Sequence, residues 1–103
     1  MYMEEKNAAL MLKGNLLSFQ DKIVKDTRIG PSHISLYTAI LYYAEKNDFN
    51  FPISVFSREL MAYAKISGAS TYTRCIQDLK EFGFINYVPS FNPVLGSLIY
   101  LLE

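Results

Sequence analysis

Apolar residues recur at intervals of three and four along much of the chain, which predicts amphipathic helices. The most regular stripe runs through residues 34–44 and predicts a helix that begins at Pro31 or Ser32 and ends near Asn47. A second helix of about two turns is predicted directly after Ser57, which can cap it.

A tight turn and a longer helix follow. In "KISGAS", Gly68 can take a positive φ angle, and Ser67 or Ser70 can cap the next helix. That helix covers about residues 69–83 and ends at Gly83, which suits a left-handed C-terminus. Its predicted buried face consists of Tyr72, Cys75, Ile76, Leu79 and Phe82.

Short aromatic and β-branched runs predict strands. "FINYVPS" (84–90) and "SLIYLLE" (97–103) are expected to form a hairpin, because "FNPVLG" between them is rich in turn residues. The run at 49–57 contains Pro52, which lacks an N–H, and it therefore predicts a short edge strand at most.

Residues 1–28 are interpreted as an N-terminal extension of a domain at 29–103. The extension contains an apolar stripe of Leu16, Phe19 and Ile23. Asn15 can cap a helix that carries this stripe, whereas Gly14 interrupts the upstream segment. A hairpin around "LKGNL" is the alternative. Either structure needs a partner for the stripe, so the extension is expected to pair two subunits or to pack back on the domain.

The 103 residues suffice for one domain with a hydrophobic core. Ten basic and ten acidic residues give zero net charge, which argues against strong nonspecific binding of polyanions and leaves nucleic-acid contacts to local clusters. A single cysteine cannot form an internal disulfide. The longest mostly apolar run, "SLYTAILYYA", is shorter than the ~20 residues of a membrane span. We therefore expect a cytoplasmic protein without a membrane partner.

The predicted order is helix, extended segment, short helix, turn, longer helix and hairpin. This α+β, mainly helical arrangement matches the winged helix-turn-helix, a three-helix core with a C-terminal hairpin as the wing. In that arrangement the second helix of the pair enters the major groove of DNA with its N-terminal residues at base edges. The hydroxyl-rich start of the helix at 69–83 then faces the groove.

The sequence also resembles small bacterial winged-helix proteins that are described as transcriptional regulators and occur around mobile elements. The resemblance covers about residues 29–97 and rests on "IGPSHISLYTAIL", "SRELMAYAKIS", "STYTRCIQDLKEFGFINY" and "PSFNPVLGS". It implies the winged-helix fold and, less specifically, a regulatory function. One departure concerns the wing tip, which reads Val94 and Leu95 where a DNA-contacting member is expected to carry a basic residue.

Helical geometry selects the candidate DNA contacts. With Tyr72 in the core, steps of about 100° per residue leave a polar face on the opposite side of the helix. This face carries Ser70, Thr73, Arg74 and Gln77, with Thr71 beside them at the helix start. Arg can bind guanine bidentately, Gln can pair with adenine, and hydroxyls can contact bases or phosphates. Flanking cations that can bind phosphates are Arg58, Lys65 and Lys80. An ordinary solvated helix surface has a similar composition.

Other candidate sites are weak. His33, the single histidine, is expected at the surface where a helix starts, and Cys75 is expected in the core. Most tyrosines are assigned to core or half-buried positions, namely Tyr37, Tyr42, Tyr43, Tyr63 and Tyr72. No phosphate-binding glycine loop, nucleophile elbow or carboxylate pair is present, so we expect no enzyme activity, no cofactor and no metal site.

Two functions stay open. The leading prediction is a sequence-specific DNA-binding transcriptional regulator, a homodimer with double-stranded DNA as its partner and residues 69–83 as recognition helix. The alternative is a winged helix that binds a protein, for example as an accessory subunit in replication or excision of a mobile element, because a fold does not dictate function. Zero net charge and the apolar wing tip favour the alternative, whereas Thr73, Arg74 and Gln77 favour DNA.

Overall fold

The computed structural model describes residues 2–90 and 94–102, with side chains from residue 9 onward. Within these residues, four helices and three strands follow one another as α1 (Tyr2–Ile23), α2 (Pro31–Lys46), β1 (Ile53–Val55), α3 (Ser57–Ala64), α4 (Ala69–Glu81), β2 (Ile85–Val88) and β3 (Ser97–Leu101). The protein is therefore α+β and mainly helical, as the sequence predicts.

Helix α2 forms the centre of the fold and has the predicted bounds. Gly30 is its N-cap, and Pro31 occupies the first helical position, where a missing N–H leaves no hydrogen bond unmade. Its buried face packs against α1, α3, α4 and β1. Because four elements meet on this one helix, Leu36 and Ile40 are completely buried.

Helix α3 is two turns long, as predicted, but Ser57 does not cap it. The helix begins at Ser57 itself, the N-cap is Phe56, and no side chain caps the end. The helix ends with Lys65 in the left-handed region at φ 59°. The N–H of Ile66 then donates to the carbonyl of Met61 at 3.0 Å, which completes a Schellman motif.

The connection between α3 and α4 differs from its prediction. The positive φ angle expected at Gly68 occurs at Lys65, because the Schellman motif requires it directly after α3. Gly68 is the N-cap of α4 with an extended backbone, φ −92° and ψ 126°. Neither Ser67 nor Ser70 caps the helix, and Ser70 lies inside its first turn.

Helix α4 follows the predicted pattern. Its fully buried residues are Tyr72, Cys75, Ile76 and Leu79. Phe82, the C-cap, is half-buried. Gly83 has φ 84°, and the N–H groups of Gly83 and Phe84 donate to the carbonyls of Lys80 and Leu79 at 3.2 and 2.9 Å. This Schellman motif directs the chain from α4 into β2, as the glycine indicates.

The strands form one antiparallel sheet in the order β1-β3-β2. Ile99 of β3 pairs with Tyr87 of β2 and with Ile53 of β1, so the predicted hairpin is confirmed and β1 is an edge strand. Gly96 permits the close approach of β1, because a Cβ at that position would lie 2.6 Å from the carbonyl oxygen of Val55.

Helix α1 is continuous over Tyr2–Ile23, so the alternative hairpin around "LKGNL" is wrong. Gly14 does not interrupt the helix, and Asn15 is not its cap. The Asn15 amide instead donates to the carbonyl of Met11 at 2.8 Å within the helix. Among the described residues, no helix combines the length and apolar character that a membrane span requires.

Helix α1 packs back on the rest of the chain through Phe19, which is 2% exposed. The Phe19 ring stacks on Tyr37 of α2 with centroids 3.9 Å apart and meets Phe84 edge to face at 5.3 Å. The expected stripe is only partly used, because Ile23 is half-buried and Leu16 is exposed. The N-terminal helix therefore contributes to the same core as α2 and the sheet.

Candidate nucleic-acid interface

Helices α3 and α4 are the pair that the sequence predicts as a helix-turn-helix. Four residues, 65–68, connect them. Both helices pack against α2. The Ser35 hydroxyl of α2 donates to the carbonyl of Ala64, the last residue of α3. Because the last carbonyls of a helix lack intrahelical partners, this hydrogen bond anchors the end of α3 on α2, next to the turn.

The outward face of α4 carries the predicted base contacts. Exposed residues are Ser70, Thr73, Arg74 and Gln77. Thr71 is half-buried at the flank, so it is the weakest member of the predicted set. From Ser70 to Gln77 the helix rises about 10 Å. At about 100° of rotation per residue, the four exposed side chains share one side of the first two turns.

The predicted phosphate contacts Arg58, Lys65 and Lys80 are exposed but are not gathered in one place. Arg58 lies in the first turn of α3, and Lys65 follows the end of that helix, about 10 Å further along its axis. Lys80 lies in the last turn of α4. In the part of the chain that the structure describes, neither these three cations nor Arg74 pairs with a carboxylate.

Helix α4 also carries two acidic residues, which differ in how far they offset the positive charge of these cations. Glu81 is exposed and lies on the same side as Arg74, about 10 Å further towards the C-terminus. Asp78 is turned towards α2, where its Oδ2 lies 2.8 Å from Nε2 of His33. Asp78 is therefore engaged within the protein, and the first two turns of α4 carry no acidic side chain.

His33 is buried, only 7% exposed, so the prediction of a surface histidine is wrong. The N–H of Gly30 donates to Nδ1 of His33 at 2.9 Å. In the neutral ring this leaves Nε2 as the donor to Asp78. The imidazole thus joins the start of α2 to the third turn of α4 and sets the position of α4.

His33 has two hydrogen-bond partners, and only the one at the start of α2 can be anticipated from the sequence. His33 occupies the third helical position of α2, from which a side chain can reach back to the N-cap N–H. Its second partner, Asp78, is 45 residues away in the chain and cannot be inferred from local pattern.

We expect His33→Ala to lower the free energy of unfolding by about 1 to 3 kcal/mol, because two partly buried polar groups lose their partner. Urea denaturation followed by circular dichroism measures this loss. Asp78→Asn is the matched control, since its amide oxygen still accepts from Nε2, and it should retain most of the stability. An equal loss of unfolding free energy in the two variants would contradict the tautomer of His33 in which Nε2 is the donor.

Arg28 makes a second contact with the end of α4. Its guanidinium lies 3.9 Å from the centroid of the Phe82 ring. The same guanidinium donates to both carboxylate oxygens of Asp26, at 2.8 and 2.7 Å. The side-chain hydrogen bonds from Arg28 lower the pKa of Asp26 to about 2. The Arg28 charge is therefore compensated and adds little to the potential around α4.

Cys75 is buried, as predicted. Burial raises the pKa of its thiol, which disfavours the nucleophilic thiolate at neutral pH.

The described residues contain no group of three or more side chains that can hold a metal ion. One cleft of about 320 Å³ lies between α1, Phe84 and Leu102, and no residue of α4 lines it.

The five tyrosines that the sequence assigns mostly to core or half-buried positions differ in burial, and the assignment is wrong for Tyr42 and Tyr63. Tyr37 and Tyr72 are buried, as predicted, and burial raises the pKa of Tyr37 to about 12. Tyr43 is half-buried and donates to Glu59. Tyr42 and Tyr63 are exposed and stack on each other across α2 and α3 with centroids 4.9 Å apart. Helical spacing does not reveal such mutual packing outside the core.

The predicted wing tip is exposed and apolar. Val94 and Leu95 are 81% and 61% exposed.

Comparison with known proteins gives no information about this site. No protein-family model matches the chain, and no curated protein or solved structure is significantly similar to it.

Proposed function

We propose that the protein is a winged helix-turn-helix that binds double-stranded DNA as a sequence-specific transcriptional regulator, with α4 as recognition helix. The observation that carries this proposal is the exposed polar face at the start of α4. That helix follows a short helix and a four-residue connection, and the β2–β3 hairpin follows it. This order supports a helix-turn-helix with a wing.

The residues on this face have the chemistry that base recognition needs. Arg74 can donate two hydrogen bonds to O6 and N7 of guanine, and Gln77 can pair with N6 and N7 of adenine. The hydroxyls of Ser70 and Thr73 can contact bases or phosphates. The contacts of His33 with Asp78 and of Arg28 with Phe82 support the position of the helix from which these side chains project.

Phosphate contacts are proposed at the two ends of α4. The first turn of α4 contains no acidic residue, so its N–H groups and helix dipole favour a phosphate oxygen. Lys65 lies four residues before this end, directly after α3, and Lys80 lies in the last turn of α4. Contacts of this kind fix the position of a protein on the duplex without reading its sequence.

A winged helix that binds a protein partner, for example as an accessory subunit in replication or excision of a mobile element, is the second candidate. Exposed Val94 and Leu95 favour it, because a wing that contacts phosphates carries cations. Zero net charge favours it as well.

Binding of random duplex DNA, measured by fluorescence anisotropy at several salt concentrations, tests the proposal. We expect Lys80→Ala to weaken binding to all sequences alike and to reduce the salt slope by about one unit, because one phosphate contact is lost. Lys46→Ala is the control. Lys46 is exposed and lies about 20 Å along α2 from His33, so its loss should leave the slope unchanged.

Two results would reject the DNA proposal. One is a wild-type protein that retains no duplex DNA at low salt. The other is a salt slope that falls equally in Lys80→Ala and Lys46→Ala, which would indicate diffuse charge without a defined interface.

A further inference from the structure

Helix α1 carries apolar side chains on two opposite sides. Phe19 marks the inner side, which packs on α2. Leu10, Leu17 and Val24 lie about 140 to 180° away from Phe19 around the helix. They are 57%, 55% and 76% exposed. We call these three residues the outer stripe.

The outer stripe has the spacing of a helix-pairing surface. Its members are seven residues apart, so they occupy the same position of successive heptads. Val24 stays in register with the helix, because its N–H donates to the carbonyl of Gln20 at 3.2 Å. A helix that is apolar on both sides is normally covered on both sides. The described part of this chain covers only the inner one.

We propose that the outer stripe pairs with the outer stripe of a second copy of this chain, with the two α1 helices antiparallel and Leu17 at the two-fold axis. Leu10 then lies level with Val24 of the second copy, since both are seven residues from Leu17. Such an interface is isologous, because the same surface serves both subunits.

Charge complementarity supports a second copy of the chain as the partner and an antiparallel arrangement of the two α1 helices. Lys13 and Asp21 flank the outer stripe, each four residues from Leu17, and both are exposed. In the antiparallel pair Lys13 lies level with Asp21 of the second copy, and symmetry repeats the contact. A parallel pair in register would instead place Lys13 level with Lys13 and Asp21 level with Asp21, which is repulsive.

This surface is different from the one that the sequence predicts for a homodimer. In the predicted stripe of Leu16, Phe19 and Ile23, the central residue Phe19 is buried in the core of its own chain. The pairing also goes beyond the DNA proposal, because it holds whether α4 binds DNA or a protein. Three large apolar side chains per copy make a small interface, so we expect a dimer that dissociates on dilution.

Analytical ultracentrifugation over a range of concentrations tests the pairing. We expect wild type to dimerise with increasing concentration and Leu17→Glu to remain monomeric. Met11→Glu is the matched control, since Met11 is also exposed on α1 but lies about 120° from the outer stripe. It should dimerise as wild type does. A wild-type protein that is monomeric at the highest concentration overturns the proposal, as does a dimeric Leu17→Glu.

Charge reversal tests the direction. Lys13→Glu and Asp21→Lys should each weaken dimerisation about 2- to 10-fold, and the double variant should recover it, because the ion pairs are re-formed with exchanged signs. A double variant that is weaker than either single variant contradicts the antiparallel pair.

Disulfide crosslinking gives an independent measure of direction. Under a mild oxidant, a mixture of Leu10→Cys and Val24→Cys proteins should crosslink to each other, whereas neither variant alone should crosslink to itself. Cys75 is completely buried and does not compete. Self-crosslinking of Leu10→Cys alone would show a parallel pair and overturn the proposed direction.

Discussion

Phe19→Ala is expected to lower the free energy of unfolding by about 3 to 5 kcal/mol, the largest effect among our predictions. The ring is 2% exposed, stacks on Tyr37 at 3.9 Å and meets the edge of Phe84 at 5.3 Å. Its removal costs the transfer free energy of the ring and leaves a cavity between α1 and α2. No other side chain of α1 is fully buried among those that the structure describes.

Urea denaturation of Phe19→Ala measures this effect. Gln20→Ala is the control, because residue 20 is the next residue in α1 and is exposed. Its free energy of unfolding should stay within about 0.5 kcal/mol of wild type. If Phe19→Ala is equally stable, α1 does not contribute to the folded domain, and residues 1–28 form a separable extension.

Arg74→Ala is expected to weaken binding to a cognate DNA site by about 1 to 3 kcal/mol, or about 5- to 150-fold, and to relax the preference at one base pair. Arg74 is exposed and is the single arginine of α4. It lies one turn beyond the start of the helix, where a helix in the major groove meets base edges. Without the guanidinium, guanine O6 and N7 lose both donors.

Selection of bound sequences from random duplexes identifies the cognate site, and anisotropy titrations on that site give the loss. Arg58→Ala is the contrast, because Arg58 is assigned to phosphate and its loss should affect selected and random duplexes equally. If Arg74→Ala binds DNA as wild type does while binding of a partner protein is lost, α4 is a protein-binding surface.

Local pattern was sufficient for most of the secondary structure and for the exposed face of α4. The bounds of α2, the buried face of α4 and the left-handed Gly83 depend on residues within a few positions of one another. Helical periodicity also placed Ser70, Thr73, Arg74 and Gln77 on the outside correctly. It did not show that Thr71 is half-buried, because the extent of that face depends on what packs beside α4.

The amino-acid sequence by itself determined most of the helices and strands after residue 28 and which side of α4 is polar, because hydrogen bonds and side-chain periodicity within one element are local. It did not decide between a helix and a hairpin around "LKGNL", where the structure has the continuous helix α1. Only the tertiary structure decided that His33 is buried against Asp78 and that Phe19 joins the core, leaving the opposite side of α1 exposed. These contacts join residues that are far apart in the chain. Their formation depends on how whole elements pack, which no local spacing specifies.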